Sequence, residues 1–221
     1  MDTGGGEDAT AQRILRITDI AQEPLQFLAP ISGYGKAPLV SLEQAVEPLV
    51  PILPEVQSYA YAAKQRCENP ADGLTQDESA SIMLYTMGWE PLDECLYFVL
   101  NDTLRSSERR QKLKPWYLFI RLFLNALFRL PPLSELFLGT TCDRTMFTLQ
   151  CQSARDIRKH SYLSDEDEVL LMAATQFKVM GCLNQGNLHI VQLEETSPPF
   201  PLLQPVSVVV PPPINPSSPS K

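Results

Sequence analysis

The side chains best suited to chemistry stand together in one short acidic stretch of the sequence. Asp165, Glu166, Asp167 and Glu168 follow one another and lead directly into the apolar run VLLMA. Carboxylates this close together repel one another, and as a group they attract cationic partners. The stretch therefore has two interpretations: a solvated acidic turn between two strands, or acidic residues that border a cleft.

The other reactive side chains form no recognisable site in the sequence. The cysteines contain no CxxC pair, and neither His160 nor His189 has metal-ligand spacing to them, so we expect no metal site. An odd number of cysteines, mostly inside apolar segments, indicates buried thiols in a reducing compartment. His160, close to the acidic stretch, is expected to be a hydrogen-bonded turn residue. The five cysteines are Cys67, Cys95, Cys142, Cys151 and Cys182.

Length and charge narrow the class of protein. The chain has 221 residues, 44% of them hydrophobic, which is enough for one domain of ordinary size with tails. Its 26 acidic and 18 basic residues give a net charge of -8. We therefore expect no nucleic-acid partner, because phosphates are bound by clustered Lys and Arg. The N-terminus MDTGGGEDATAQ lacks the basic start and apolar run of a secretory signal, so we expect a cytoplasmic protein.

Up to residue 130, the elements that must support the acidic stretch are helical. Ser41 with Gln44, and Thr75 with Glu78, have the spacing of capping boxes, which predicts that helices begin there. Prolines separate the helical pieces, and no internal repeat is visible.

Residues 115–130 form the most apolar segment of this half. The segment is shorter than the roughly 20 residues that a membrane span requires. Arg121, Asn125 and Arg129 recur every four positions and so lie on one stripe of a helix, with apolar residues opposite. The pattern predicts a core helix and no membrane span.

After Pro131 and Pro132 the periodicity changes to that of strands. RTMFTLQC, FKVMGCL and NLHIVQLEE predict three strands, and EVLLMA predicts a short one with Glu168 as its first residue. Helices followed by consecutive strands favour an α+β fold. From residue 197 the chain is proline-rich, and we expect a disordered or polyproline extension.

The acidic stretch also resembles a family signature. Glu166-Asp167-Glu168 followed by VLL resembles the glutamate-x-glutamate motif of arginine-specific mono-ADP-ribosyltransferases. LTQDESASIMLYTM, PWYLFIRLFLNAL and DIRKHSYLSDEDEVLLMAATQFKVMGCL are similar to stretches of the eukaryotic, invertebrate-type branch of the NAD(P)(+)–arginine mono-ADP-ribosyltransferase family. The likeness covers most of residues 15–206. It implies NAD or NADP as the substrate, transfer of ADP-ribose to an arginine-containing acceptor protein, and no metal.

The resemblance also implies roles for two residues. Glu168 would be the catalytic carboxylate, stabilising an oxocarbenium-like transition state and hydrogen-bonding the ribose. Glu166 would position or partly deprotonate the incoming guanidinium.

Two further parts of the family's NAD site are missing from the sequence. The family's Arg-Gly and Ser-x-Ser motifs are absent between residues 131 and 144, as if the chain carried an internal deletion near residue 133. Neither Arg129, at the end of a core helix, nor Arg144, at the start of a strand, matches the dinucleotide-binding arginine. The cofactor-binding residues are therefore unassigned. We expect an exposed sheet edge and weak or no transferase activity.

The expected organisation is an α+β domain with two tails. A flexible acidic, glycine-rich N-terminus (1–14) precedes an ADP-ribosyltransferase-like domain (15–196), which joins a helical part (15–130) to a truncated β part (131–196). A proline-rich tail (197–221) follows. The alternative function is a non-catalytic interaction protein that uses the helical half together with PPFPLLQP and PPPINP, motifs that fit polyproline-binding grooves.

Overall fold

A computed structural model describes residues 29–139, 144–185 and 188–211, without the side chains of 136–139 and 144. Within these ranges helices occupy the first part and strands the second, which confirms the α+β class. The acidic N-terminus 1–14, Cys142 and all but the first residue of PPPINP lie outside the described residues.

Six α-helices are described, and short 3-10 turns join them. The turns are Tyr34–Lys36, Glu47–Leu49, Leu92–Glu94 and Lys114–Trp116. The helices are α1 (Leu42–Val46), α2 (Val56–Arg66), α3 (Gln76–Thr86), α4 (Leu96–Arg105), α5 (Arg109–Lys112) and α6 (Tyr117–Arg129). Among these described helices, none is long and apolar enough to cross a membrane.

Both predicted capping boxes are present and fix the start of a helix. At α1, Ser41 Oγ accepts from the backbone N–H of Gln44, whose side chain accepts from Ser41 N–H. At α3, Thr75 and Glu78 make the same reciprocal pair. Each box satisfies backbone donors that the helix itself leaves unpaired, so it determines where the helix begins.

The predicted core helix is α6, and its polar stripe is buried as well as its apolar face. Phe119 and Leu127 are fully buried, and so is Asn125, whose Nδ2 donates to Glu78 Oε1 at 2.6 Å. Arg129 forms an ion pair with the other oxygen of Glu78. Asn125 and Arg129 thus make a buried polar contact between α6 and α3, whereas Arg121 of the same stripe donates to Ser207 O at 2.8 Å.

The strands form two separate sheets. The strands are β1 (Glu135–Gly139), β2 (Arg144–Gln150), β3 (Arg155–Asp156), β4 (Val169–Leu170), β5 (Gln176–Gln185) and β6 (Leu188–Thr196). The larger sheet has four strands in the order β1, β2, β6, β5, in which β2 and β6 are parallel and the other pairs are antiparallel. The smaller sheet consists of β3 and β4.

Three predicted strands correspond to β2, β5 and β6, but the expectation for EVLLMA is wrong in length. Only Val169 and Leu170 pair as strand residues. The chain then turns, since Thr175 N–H donates to Met172 O and Ala174 adopts a positive φ of 63°. The sequence also gave no sign of β1 or β3, because β3 has two residues and β1 lacks a polar and apolar alternation.

The four-stranded sheet has little core of its own. Of the described side chains in β2, β5 and β6, Leu149 alone is buried, whereas Val179, Met180 and Leu183 of β5 are at least half exposed. Within the described residues β5 pairs with β6 and with no other strand, so β5 is an edge strand of this sheet. The large apolar core lies among the helices.

The proline-rich tail is ordered in part. Ile31 N–H donates to Leu202 O at 2.8 Å, and Gln204 N–H donates back to Ile31 O at 2.9 Å. Further along, Val209 N–H donates to Asn125 Oδ1 at 2.9 Å. The buried polar residues of α6 thus find backbone partners in residues 202–209, and the expectation of a disordered extension is wrong for this stretch. Residues 212–221 lie outside the described residues.

Candidate active site

The acidic stretch lies between two short strands, as predicted. Glu168 was expected to be the first residue of the strand, but it immediately precedes β4, which begins at Val169. The Glu168 carbonyl accepts a hydrogen bond from Ile157 N–H at 3.2 Å. Its own N–H donates to Glu166 O at 2.9 Å, which closes a tight turn. The backbone of Glu168 is therefore fixed at the point where the turn enters the two-stranded sheet.

The Glu168 carboxylate is held by a neighbour that the sequence did not reveal. Ser161 Oγ donates to Glu168 Oε2 and accepts from Leu163 N–H at 3.0 Å. Ser161 is only 6% exposed, so this charge-assisted hydrogen bond is shielded from water. The nearest sequence signal was a serine at the start of the acidic turn in HSYLS, a residue type too common in turns to stand out.

The four acidic residues divide between the two interpretations. Asp165 and Asp167 are exposed, and Asp167 forms an ion pair with Arg158 at 3.2 Å. Glu166 and Glu168 are partly buried. The aspartates therefore behave as a solvated turn, whereas the two glutamates of the motif are only partly exposed.

Glu168 borders a cavity of about 150 Å³ between the turn and the helices. Tyr85 and Thr86 of α3, with Tyr97 and Asn101 of α4, form the opposite wall. Tyr85 Oη donates to Asn101 Oδ1 at 3.3 Å. A carboxylate facing phenol and amide groups suits a cationic or hydrogen-bonding ligand.

The cavity is small and carries no basic lining group. Sites for small ligands commonly measure about 300–1,000 Å³, and none of the residues that line this cavity is Arg or Lys. Arg129 lies elsewhere, with its two nitrogens on Glu78 and Gly73 O, and the side chain of Arg144 lies outside the described residues. The residues that line this cavity thus supply a carboxylate but no cation for a pyrophosphate.

His160 lies beside the site and is completely buried. Its Nδ1 lies 2.9 Å from Ser79 Oγ, and its Nε2 lies 3.3 Å from Asp72 Oδ2. The expectation of a hydrogen-bonded turn residue is confirmed. Burial lowers the pKa of His160, and the hydrogen bond to Asp72 opposes that shift.

The cysteines take no part in this site. Cys67, Cys95 and Cys151 are buried thiols, as expected, whereas Cys182 is exposed on β5. Burial raises the pKa of Cys67 and of Cys151, which disfavours the reactive thiolate. Among the described residues, no group of three or more His, Cys, Asp or Glu side chains could hold a metal ion.

Solved structures similar to this chain include bacterial ADP-ribosyltransferases. The ADP-ribosyltransferase Vis in complex with agmatine aligns at a TM-score of 0.41 and 15% identity, over 74% of this chain and 90% of that chain. Vis with the M6 inhibitor gives 0.42 and 15%, over 74% and 89%. The Vis toxin of Vibrio splendidus gives 0.38 and 15%, over 73% and 89%.

No protein-family model matches the chain, and no curated protein matches it. Since their TM-scores lie below 0.5, the Vis alignments carry no inference about the fold or the activity of this chain.

Proposed function

We propose that this protein is a mono-ADP-ribosyltransferase of the arginine-specific type, with Glu168 as its catalytic carboxylate and activity well below that of a complete site. The single observation that carries the proposal is the placement of Glu168. Its carboxylate accepts a hydrogen bond from the buried Ser161 hydroxyl and Glu168 lines a cavity, whereas Asp165 and Asp167 are exposed and do not line that cavity. The sequence resemblance supplies the reaction.

Glu168 would act on the ribose of NAD. As the bond from ribose C1 to the nicotinamide nitrogen breaks, positive charge develops on the sugar, and a fixed carboxylate beneath it lowers the barrier. Nicotinamide leaves with the bonding electrons. A guanidinium nitrogen of the acceptor arginine then bonds to C1 and loses a proton.

Glu166 would act on the acceptor. It lies two residues before Glu168 in the same turn and is partly buried. A carboxylate there can hold the guanidinium beside the ribose and accept its proton. The exposed aspartates on either side add to the attraction of a cationic acceptor.

The rate would be limited by binding of NAD rather than by the carboxylate. A dinucleotide needs donors and a cation for its pyrophosphate, and the lining of the described cavity contains neither Arg nor Lys. We therefore expect a high KM for NAD and slow transfer at NAD concentrations below that KM.

Label transfer tests the proposal directly. The full chain is incubated with NAD labelled in its adenylate and with polyarginine. Glu168→Gln should lower transfer about 100-fold, because one oriented charge is removed from the transition state. Asp165→Asn, which removes the same charge from an exposed position of the same turn, should leave transfer within about twofold. Equal rates for the two variants would refute the role of Glu168.

A non-catalytic interaction protein is the second candidate, and one observation favours it. Val179, Met180 and Leu183 on β5 form an exposed apolar edge, a feature that soluble monomers normally avoid. Residues 202–209 of the tail are hydrogen-bonded to the helical half. We therefore predict that a polyproline-binding partner would bind residues 197–201 or the tail from residue 210 onward. Under this function Glu168→Gln would change no NAD-dependent signal.

A further inference from the structure

We propose that His160 is a positioning residue for Glu168, and that it acts by fixing Ser161 against helix α3. The inference rests on the proposed function only for its effect on rate. Its structural content, that the Glu168 turn depends on a buried contact with α3, can be measured without any activity.

His160 joins three parts of the chain at one buried point. Ser79 on α3 lies 2.9 Å from Nδ1, and Asp72, in the turn before α3, lies 3.3 Å from Nε2. Asp72 is held in turn by Lys159 at 2.9 Å and adopts a positive φ of 56°. Positive φ is unusual for a residue other than glycine, and here it places the Asp72 carboxylate within reach of His160.

One tautomer of neutral His160 satisfies both contacts. With its proton on Nε2, the imidazole donates to the Asp72 carboxylate, and Nδ1 accepts from the Ser79 hydroxyl. With the proton on Nδ1, the Nε2 lone pair would face a carboxylate, which is repulsive. Hydrogen bonds at both nitrogens therefore fix the orientation of the imidazole ring.

This triad does not have the access that a serine nucleophile requires. Ser79 is 2% exposed and His160 is 0% exposed, so a substrate carbonyl cannot approach the hydroxyl. The buried Ser79 and His160, with Asp72 at the surface, hold segments of the chain together.

The contact lies next to Ser161, and a second contact with α3 lies on its other side. Tyr162 N–H donates to Thr86 Oγ1 at 2.8 Å. Ser79 and Thr86 are seven residues apart and so lie on one face of α3, two turns from each other. Residues 160 and 162 are thus each fixed to α3, and Ser161 between them can aim its hydroxyl at Glu168. If either tie were lost, the Glu168 carboxylate would gain rotational freedom.

Two serines of α3 provide a matched pair of variants. Ser79 and Ser81 are both buried, but Ser81 Oγ donates to Glu78 O within its own helix at 2.7 Å and does not reach His160. Alanine is the best helix former, so Ser79→Ala and Ser81→Ala should both fold.

The first readout is amide hydrogen exchange in residues 161–168. The N–H groups of Tyr162, Leu163, Glu166 and Glu168 are all hydrogen-bonded in the wild-type turn. Exchange there should rise about tenfold in Ser79→Ala and stay at the wild-type rate in Ser81→Ala. The same exchange in both variants would overturn the inference, whether or not the protein transfers ADP-ribose.

The second readout is label transfer from NAD. Ser79→Ala should lower kcat about tenfold with KM for NAD within twofold, because the substrate contacts remain while the carboxylate is less well aimed. Ser81→Ala should change neither. If the wild-type chain transfers no label, the proposed function fails, and hydrogen exchange alone decides the positioning role.

Replacing the histidine gives an independent check should Ser79→Ala prove unstable. The amide of His160→Asn can occupy the Nδ1 position and reach Ser79, whereas that of His160→Gln can reach Asp72. Because Ser79 is the contact on α3, the Asn variant should keep exchange in residues 161–168 closer to wild type than the Gln variant does. The opposite order would contradict the assignment.

Discussion

Ser161 and Glu168 form the contact on which the site depends, and the sequence identified one of the two. Glu168 was predicted from its motif and from its place before an apolar run. Ser161 was missed because its role depends on how the six intervening residues turn, and Leu163 N–H and Glu166 N–H hold that turn through local hydrogen bonds. Residue types can be recognised from a motif, but a side-chain contact made by an irregular turn cannot.

The contact can be tested by removing one hydroxyl. Ser161→Ala should lower the rate of label transfer about tenfold, because the Glu168 carboxylate loses the donor that fixes its orientation. Ser164→Ala removes an exposed hydroxyl from the same turn, one that bonds only to Asp165 among the contacts described, and should leave the rate unchanged. Steady-state kinetics with NAD measures both variants, and a Ser161→Ala rate equal to wild type would contradict the contact's importance.

His160 should make the stability of the protein depend on pH. Because burial lowers its pKa from the ordinary value of 6.5, the unfolded chain takes up a proton below about pH 6.5 that the folded chain does not. The stability that neutral His160 provides is complete above that pH and is lost as the pH falls toward the lowered value. The charges near the imidazole are Asp72, which favours its protonation, Lys159, which opposes it, and Asp156, which favours it.

Urea unfolding at about pH 7.5, 6 and 5 measures this loss. His160→Asn should remove the part of the slope that arises between about pH 6.5 and 5. The Asp72 carboxylate, whose pKa the Lys159 ammonium holds below 3.8, changes stability only in more acid solution. Identical slopes for wild type and His160→Asn would show that the imidazole is not held neutral.

At the scale of elements, the capping box at the start of α3 also contacts helix α6. The Thr75 box fixes Glu78, and Glu78 in turn bonds Asn125 and Arg129 of α6. The Ser41 box of α1 joins Ser41 to the exposed Gln44, and a different group, the N–H of Leu42, ties α1 to α3 by donating to Asp77 Oδ1 at 2.9 Å.

Replacing the two caps should therefore have unequal effects. Thr75→Ala should cost about 1–2 kcal/mol of the free energy of unfolding, and Ser41→Ala about 0.5 kcal/mol. Urea denaturation compares them, and an equal loss would mean that the cap of α3 does not support the buried ion pair.

The edge strand β5 should promote self-association. Val179 is 57% exposed, in a strand whose outer side is unpaired within the described part of the chain. Val179→Lys places a charge there and should lower the apparent mass in sedimentation at high protein concentration. Val208→Lys, at a valine 43% exposed in the tail, serves as the control and should sediment as wild type does. The edge would be excluded as the contact if both variants sediment alike.

The predicted elements succeeded where periodicity and burial agree. The α6 pattern, both capping boxes and three strands were found, because each is set by neighbours three or four residues away or by alternation. The prediction for EVLLMA was wrong in length, because the strand has two residues and a turn follows it. A continuous apolar run does not show where a strand ends and a turn begins. The docking of residues 202–209 could not be predicted, because its hydrogen bonds are made with Ile31 and with polar groups on α6, which lie more than 80 residues earlier.

At the scale of the whole molecule, the two halves are unequally built. The helices enclose a large core, whereas the four-stranded sheet buries one described side chain in β2, β5 and β6. The Glu168 turn belongs to the well-packed half, because its contacts are with α3 and with β3. The carboxylate of the proposed site is therefore well supported, whereas the cavity proposed to bind NAD has no Arg or Lys in its lining.

The release of nicotinamide from NAD without any acceptor is the most direct test of the proposed role of Glu168. This reaction depends on stabilising the ribose cation and not on acceptor recognition, so it isolates the carboxylate. We predict slow release by the wild-type chain at millimolar NAD, lowered about 100-fold by Glu168→Gln and unchanged by Asp165→Asn. Release at the same rate by all three proteins, or at the uncatalysed rate by the wild type, would contradict the account.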